Sequence, residues 1–149
     1  MKKIFLIAFI IISIPAYAQE RGFGIGLIVG EPTGISLKTW TSSTTAIDGG
    51  MAWSFHRETA LHIHADYLWH SFDLIKTQER IPVYYGVGGR IRFGNKVDSG
   101  IGVRGVVGLN FFLKQAPIDF FLELAPILDL IPETSLSMNG GIGVRYFFE

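Results

Sequence analysis

The chain has 149 residues, 18 glycines, no cysteine, and 13 lysines and arginines against 13 aspartates and glutamates. Balanced charge removes any bulk attraction to nucleic acid, and the lack of cysteine excludes a disulfide framework, a thiolate metal site and a lipid-modified N-terminal cysteine. A mean hydropathy of +0.34 must therefore come from one long apolar helix or from apolar residues spread along the chain.

Lys2 and Lys3 precede the apolar run from Ile4 to Ile14, and Pro15, Ala16, Tyr17 and Ala18 follow it. A basic start, a short apolar segment and an A-x-A pattern predict a secretory signal peptide over 1–18, with export through the Sec pathway and a mature chain from Gln19. The run is shorter than the roughly 20 residues of a membrane-spanning helix. Residues 19–149 make a single domain by length, and the loss of Lys2 and Lys3 leaves it with a small acidic excess.

From Gly22 onward the apolar residues recur at period two, the strand signature. They predict strands over 22–29, 35–41, 46–56, 60–71, 81–93, 100–113, 118–126 and 138–148. Glycine, proline and polar clusters separate them, and a longer connector spans 127–137. Pro126 ends the seventh strand in this reading, because proline removes a ladder hydrogen bond. Asp129 is then left between lumen and loop.

One parity of each strand is apolar, as in Phe23, Ile25, Leu27 and Val29, or Ile101, Val103, Val107 and Leu109. The other parity holds Lys38, Arg90, Arg92, Arg104 and Arg145 with Asp48, Asp66, Asp119 and Glu123, together with His62, His64, His70 and Asn110. Most of the remaining positions on that face are glycine. Long arginines among glycines make a poor water-exposed surface but fill the interior of an eight-stranded barrel well. Large aromatics near strand ends, including Phe23, Trp53, Phe55, Trp69, Phe93, Phe111, Tyr146 and Phe148, match the girdles of a barrel in a membrane. Without a membrane helix, such a chain satisfies its backbone in lipid only as a closed barrel. The expected fold is all-β, an eight-stranded antiparallel up-and-down transmembrane β-barrel in the outer membrane of a diderm bacterium. Outer-membrane lipid is its expected partner.

Several segments carry a resemblance: GEPTGISLKTW from Gly30 to Trp40, DYLWH from Asp66 to His70, PVYYG from Pro82 to Gly86, and GGIGVRYF from Gly140 to Phe147. With Pro117, Phe121, Glu123 and Pro132, they make the chain similar to a family of small outer-membrane β-barrel proteins best known from spirochaetes. The resemblance covers nearly all of 19–149 and implies fold and location, with no assigned activity and no catalytic residue. The last strand also resembles the assembly signal of outer-membrane proteins, with Val144, Tyr146 and Phe148 alternating before Glu149. It implies the outer-membrane insertion machinery as a partner during assembly.

All four histidines lie between His56 and His70. His62 and His64 share a face, and imidazole with carboxylate suits Zn²⁺ or Ni²⁺. Alternate residues of a strand stand some 6 to 7 Å apart, so a metal there needs a donor from a neighbouring strand, and a hydrogen-bonded network is preferred. Asp66 is expected to reach Arg90 or Arg92. A hydrolase constellation of Ser54 and His56 with Glu58 or Asp48 can be drawn, which would make a lipid-modifying enzyme. Against it, a lipid would approach from outside while this parity faces inward. A soluble periplasmic carrier, with the two faces exchanged, is the third alternative. The glycine runs Gly22 to Gly26 and Gly86 to Gly89 lack the following helix of a phosphate loop. No catalytic, cofactor or metal site is assigned. Near-equal opposite charges in a narrow barrel should pair across it and plug it, which predicts a structural or interaction protein rather than a pore.

Overall fold

The computed structural model describes residues 22–31, 33–54, 60–75, 81–94, 99–113 and 116–148. Eight strands follow one another: β1 Phe23–Glu31, β2 Thr33–Trp40, β3 Thr45–Ser54, β4 Ala60–Ser71, β5 Val83–Gly94, β6 Gly100–Phe112, β7 Ile118–Ile131 and β8 Ser135–Phe148. Each pairs antiparallel with its sequence neighbours, and β1 pairs with β8 to close the barrel. The expected all-β, eight-stranded, up-and-down architecture is therefore the observed one. The signal-peptide segment 1–18 lies outside the described residues.

The strand parities divide as expected. The apolar parity faces out, with Leu27 at 59% and Val103 at 51% exposure. The faces are not exchanged, which removes the geometric premise of an interior-apolar carrier. The inward parity is buried and carries the charge: Lys38 and Arg145 are each 1% exposed. Large apolar side chains share the interior with these ions. Ile28, Leu68, Tyr84, Val106, Phe121 and Ala125 pack as one cluster, and Trp40, Ala46, Phe112 and Phe147 as a second. The second group crosses the barrel at the end that holds Gly22 and Phe148, with Trp40 and Phe112 ring centroids 6.2 Å apart.

The seventh and eighth strands differ from the expectation. β7 runs on to Ile131 and β8 begins at Ser135, so the expected connector over 127–137 shrinks to 132–134. Pro126 does not end the strand, since β7 keeps its ladder with β8 through Pro126 paired to Met138. On the other side the β6 ladder steps from Arg104 and Ile127 to Val107 and Leu124. The missing proline donor falls in that step, so β7 accommodates Pro126 where pairing is already interrupted. Asp129 is consequently a strand residue pointing into the lumen, 2% exposed.

Candidate functional site

The buried polar interior is the candidate site, and its organisation follows from register. At the end that holds Gly22 and Phe148, Arg145 and Asp119 are direct cross-strand partners. Arg145 Nε donates to Asp119 Oδ1 at 3.0 Å and Nη2 to Oδ2 at 2.9 Å, a bidentate pair. Asn110 Nδ2 donates to the same Asp119 Oδ2 at 2.8 Å, while its Oδ1 accepts from Lys38 Nζ at 3.0 Å. Lys38 Nζ also lies 2.8 Å from His70 Nε2, and His70 Nδ1 lies 3.0 Å from the Thr44 carbonyl. A carbonyl only accepts, so Nδ1 carries the proton and Nε2 accepts from the ammonium. Two π faces complete the layer: Lys38 Nζ stands 4.4 Å from the Trp40 ring centroid and the Arg145 guanidinium 4.0 Å from that of Phe121.

Deeper in the lumen, three pairs of polar side chains meet across an intervening strand, and each time the residue between them is glycine. Asp66 on β4 pairs with Gly88 on β5, and Gly88 with Arg104 on β6. Arg104 Nε reaches Asp66 Oδ1 over that glycine at 3.0 Å. Arg90, Gly102 and Asp129 form a second row, with Arg90 Nη2 at 2.8 and 2.7 Å from the two Asp129 oxygens. Tyr84, Gly108 and Glu123 form a third, in which Tyr84 Oη donates to Glu123 Oε2 at 2.8 Å. A Cβ built on Gly88 would overlap Asp66 Oδ1, and one on Gly108 would overlap the Tyr84 ring. Strands lie about 4.7–4.9 Å apart, so partners two strands apart must lean across the middle strand. Only a residue without a side chain leaves that path open.

These rows correct one expectation. Asp66 pairs with Arg104, not with Arg90 or Arg92, because register puts Gly88 beside it and Arg104 immediately beyond. Arg90 and Arg92 instead converge on Asp129, Arg92 Nη1 at 3.6 Å from Oδ2. Arg104 serves a second acid, with Nη2 3.5 Å from Glu123 Oε1.

The histidines of β4 separate into three neighbourhoods along the barrel. His70 joins Lys38, His62 Nδ1 lies 3.3 Å from Arg90 Nη1, and His64 stands beside Asp66 with Nε2 3.9 Å from Oδ2. Asp48 and Asp66 face each other as direct cross-strand partners. For the hydrolase constellation, His56, Glu58 and the Ser54 side chain lie outside the described residues, so only Asp48 of that set has a described position.

Tyr84 and Asp129 belong to this network but were not assigned to it from sequence. Tyr84 shares the parity of Gly86, Gly88 and Arg90, and that parity was the available signal. Asp129 was hidden by the premature strand end at Pro126.

Comparison of the chain with protein-family models, curated proteins and solved structures finds no match. The geometry of the barrel therefore carries the functional reading.

Proposed function

We propose that the protein is an integral outer-membrane β-barrel, exported with a cleaved leader, whose lumen is a salt-bridged core and whose role is structural or interactive. The single observation that carries this reading is the distribution of polarity. The outer surface presents Phe23, Leu27, Val29, Tyr85, Val87, Val103, Leu122, Leu124 and Ile142 to the surroundings, while Lys38, Asp66, Arg90, Arg104, Asp119 and Arg145 are buried. Soluble monomers rarely expose contiguous apolar patches above a few hundred Å². In lipid the same surface is the solvated one, and the closed ladder leaves no backbone edge. Strands of 8 to 14 residues bracket the roughly 9 to 11 that a tilted span needs.

Exterior aromatics support a membrane boundary at the end that holds Gly22 and Phe148. Tyr67 and Trp69 meet edge to face, Trp69 stacks on Tyr85 at 6.0 Å, and Tyr146 meets Phe148 at 4.9 Å. Side chains with an apolar body and a polar tip suit that boundary. The resemblance to the spirochaete barrel family belongs to the same proposal. The connectors at 32, 55–59, 95–99 and 132–134 are short, which disfavours a large adhesive surface.

Separation of outer membrane from periplasm, with gel mobility measured before and after boiling, tests the reading. Recovery with the outer membrane and a heat-dependent mobility shift are expected. Release with the periplasmic contents and no shift would overturn it.

A further inference from the structure

We infer that Asp48, His64 and Asp66 form a binding site for one divalent transition-metal cation, of the Zn²⁺ class, inside the lumen. Each offers one donor atom, and the three atoms all lie within 4.8 Å of one another. Donors held about 2.0–2.2 Å from one tetrahedral zinc ion stand about 3.3–3.6 Å apart. Side-chain rotation has to close that difference to bring all three onto one ion. The donor that His62 and His64 lacked when β4 was considered alone arrives from β3 as Asp48.

Register builds the site. Asp48 is directly opposite Asp66, and Gly50, two residues on, is directly opposite His64. His64 uses the space over Gly50: its Cε1 is 3.0 Å from where a Cβ there would stand. The ring therefore leans across toward β3, where Asp48 projects on the same face. Arg104 forms an ion pair with one oxygen of Asp66, its Nε standing 3.0 Å from Oδ1, while Oδ2 faces His64 Nε2. Such an outer partner orients a metal carboxylate.

A second observation calls for a cation. Asp48 and Asp66 are 5% and 2% exposed, and Asp48 Oδ1 and Asp66 Oδ2 have no hydrogen-bond partner. Among the described residues, arginine ion pairs join Asp66, Asp119, Glu123 and Asp129, and none joins Asp48. Like charges directly opposite on neighbouring strands repel, and buried carboxylate oxygens without partners are costly. A divalent ion between the two acids removes both costs, and neutral imidazole with carboxylate is a donor set suited to zinc. A cavity of about 20 Å³, lined by His64, Arg104, Glu123 and Ala52 and reaching Glu31 and Asn139, adjoins His64. It has room for one water beside His64.

The test uses the folded protein purified in detergent and stripped with chelator, then titrated with Zn²⁺ alone by calorimetry, with elemental analysis after dialysis. One zinc per chain is expected. Asp48→Asn and His64→Gln should each weaken binding tenfold or more, while His62→Gln stays within twofold of the parent. Co²⁺ in place of Zn²⁺ should give visible absorption bands that His64→Gln alters. Heat-dependent gel mobility establishes that each variant is folded. If Asp48→Asn does not fold, His64→Gln, which removes no formal charge, decides alone. Absence of stoichiometric zinc, the outcome for two acids that share a proton instead, would overturn the inference. So would undiminished zinc binding in His64→Gln.

Discussion

Replacing Arg104 by glutamine should be among the most damaging single changes in the lumen. Arg104 is 3% exposed and lies 3.0 Å from Asp66 and 3.5 Å from Glu123, so its loss strands two buried acids. Removing one partner of a buried pair costs about 3–5 kcal/mol, and Arg104→Gln should fall toward the upper part of that range. Asp66→Asn should cost less, because it also ends the repulsion between Asp66 and Asp48, which face each other directly. In Asp66→Asn/Arg104→Gln part of the loss should return, with a coupling energy of about 1–3 kcal/mol. The cycle of Asp66→Asn with Arg90→Gln should couple by at least about 1 kcal/mol less, because Arg90 is bound to Asp129. Urea unfolding in detergent micelles measures each free energy, with chelator present so that no bound ion contributes. Additive losses for Asp66 and Arg104, or stronger coupling of Asp66 to Arg90, would refute the row of Asp66, Gly88 and Arg104 as the source of the pairing.

Gly88→Ala should destabilise the barrel by about 1–3 kcal/mol, the usual range for overpacking. Gly89→Ala, whose Cβ would come no nearer than 3.7 Å to Gly102 O, should be close to neutral in the same unfolding assay. Val103→Arg places a charge on the exterior face at a half-exposed position and should cost about 2–4 kcal/mol when folding is measured into lipid vesicles. No loss there would mean that Val103 does not meet the bilayer core. Planar bilayers containing the folded protein should show no stable single-channel steps, because the lumen is crossed by ion pairs and by the Trp40, Phe112 and Phe147 layer. Reproducible open-channel currents would contradict a closed lumen.

Much of the architecture was legible in the residues because strand parity is local. Side chains two apart on a strand share a face, so the alternation in Leu61, Ile63, Tyr67 and Trp69 against His62, His64, Asp66 and His70 assigns faces without any knowledge of neighbours. The same alternation along eight runs, with glycine among the charges, was enough to expect a narrow barrel with a charged interior. The partner of each charge was not legible, since register depends on how turns set neighbouring strands. A shift of two residues would keep every parity and exchange every partner. Asp66 thus acquires Arg104 only through the registers of β4 with β5 and of β5 with β6, and Asp129 becomes part of the lumen only because β7 continues past Pro126. The meeting of Asp48, His64 and Asp66 was equally hidden. Asp48 comes from a different strand, and the space His64 occupies exists because pairing sets Gly50 opposite it. Periodicity along one strand determines which way a side chain points, whereas the groups it meets are determined by the hydrogen-bonded register between that strand and its neighbours.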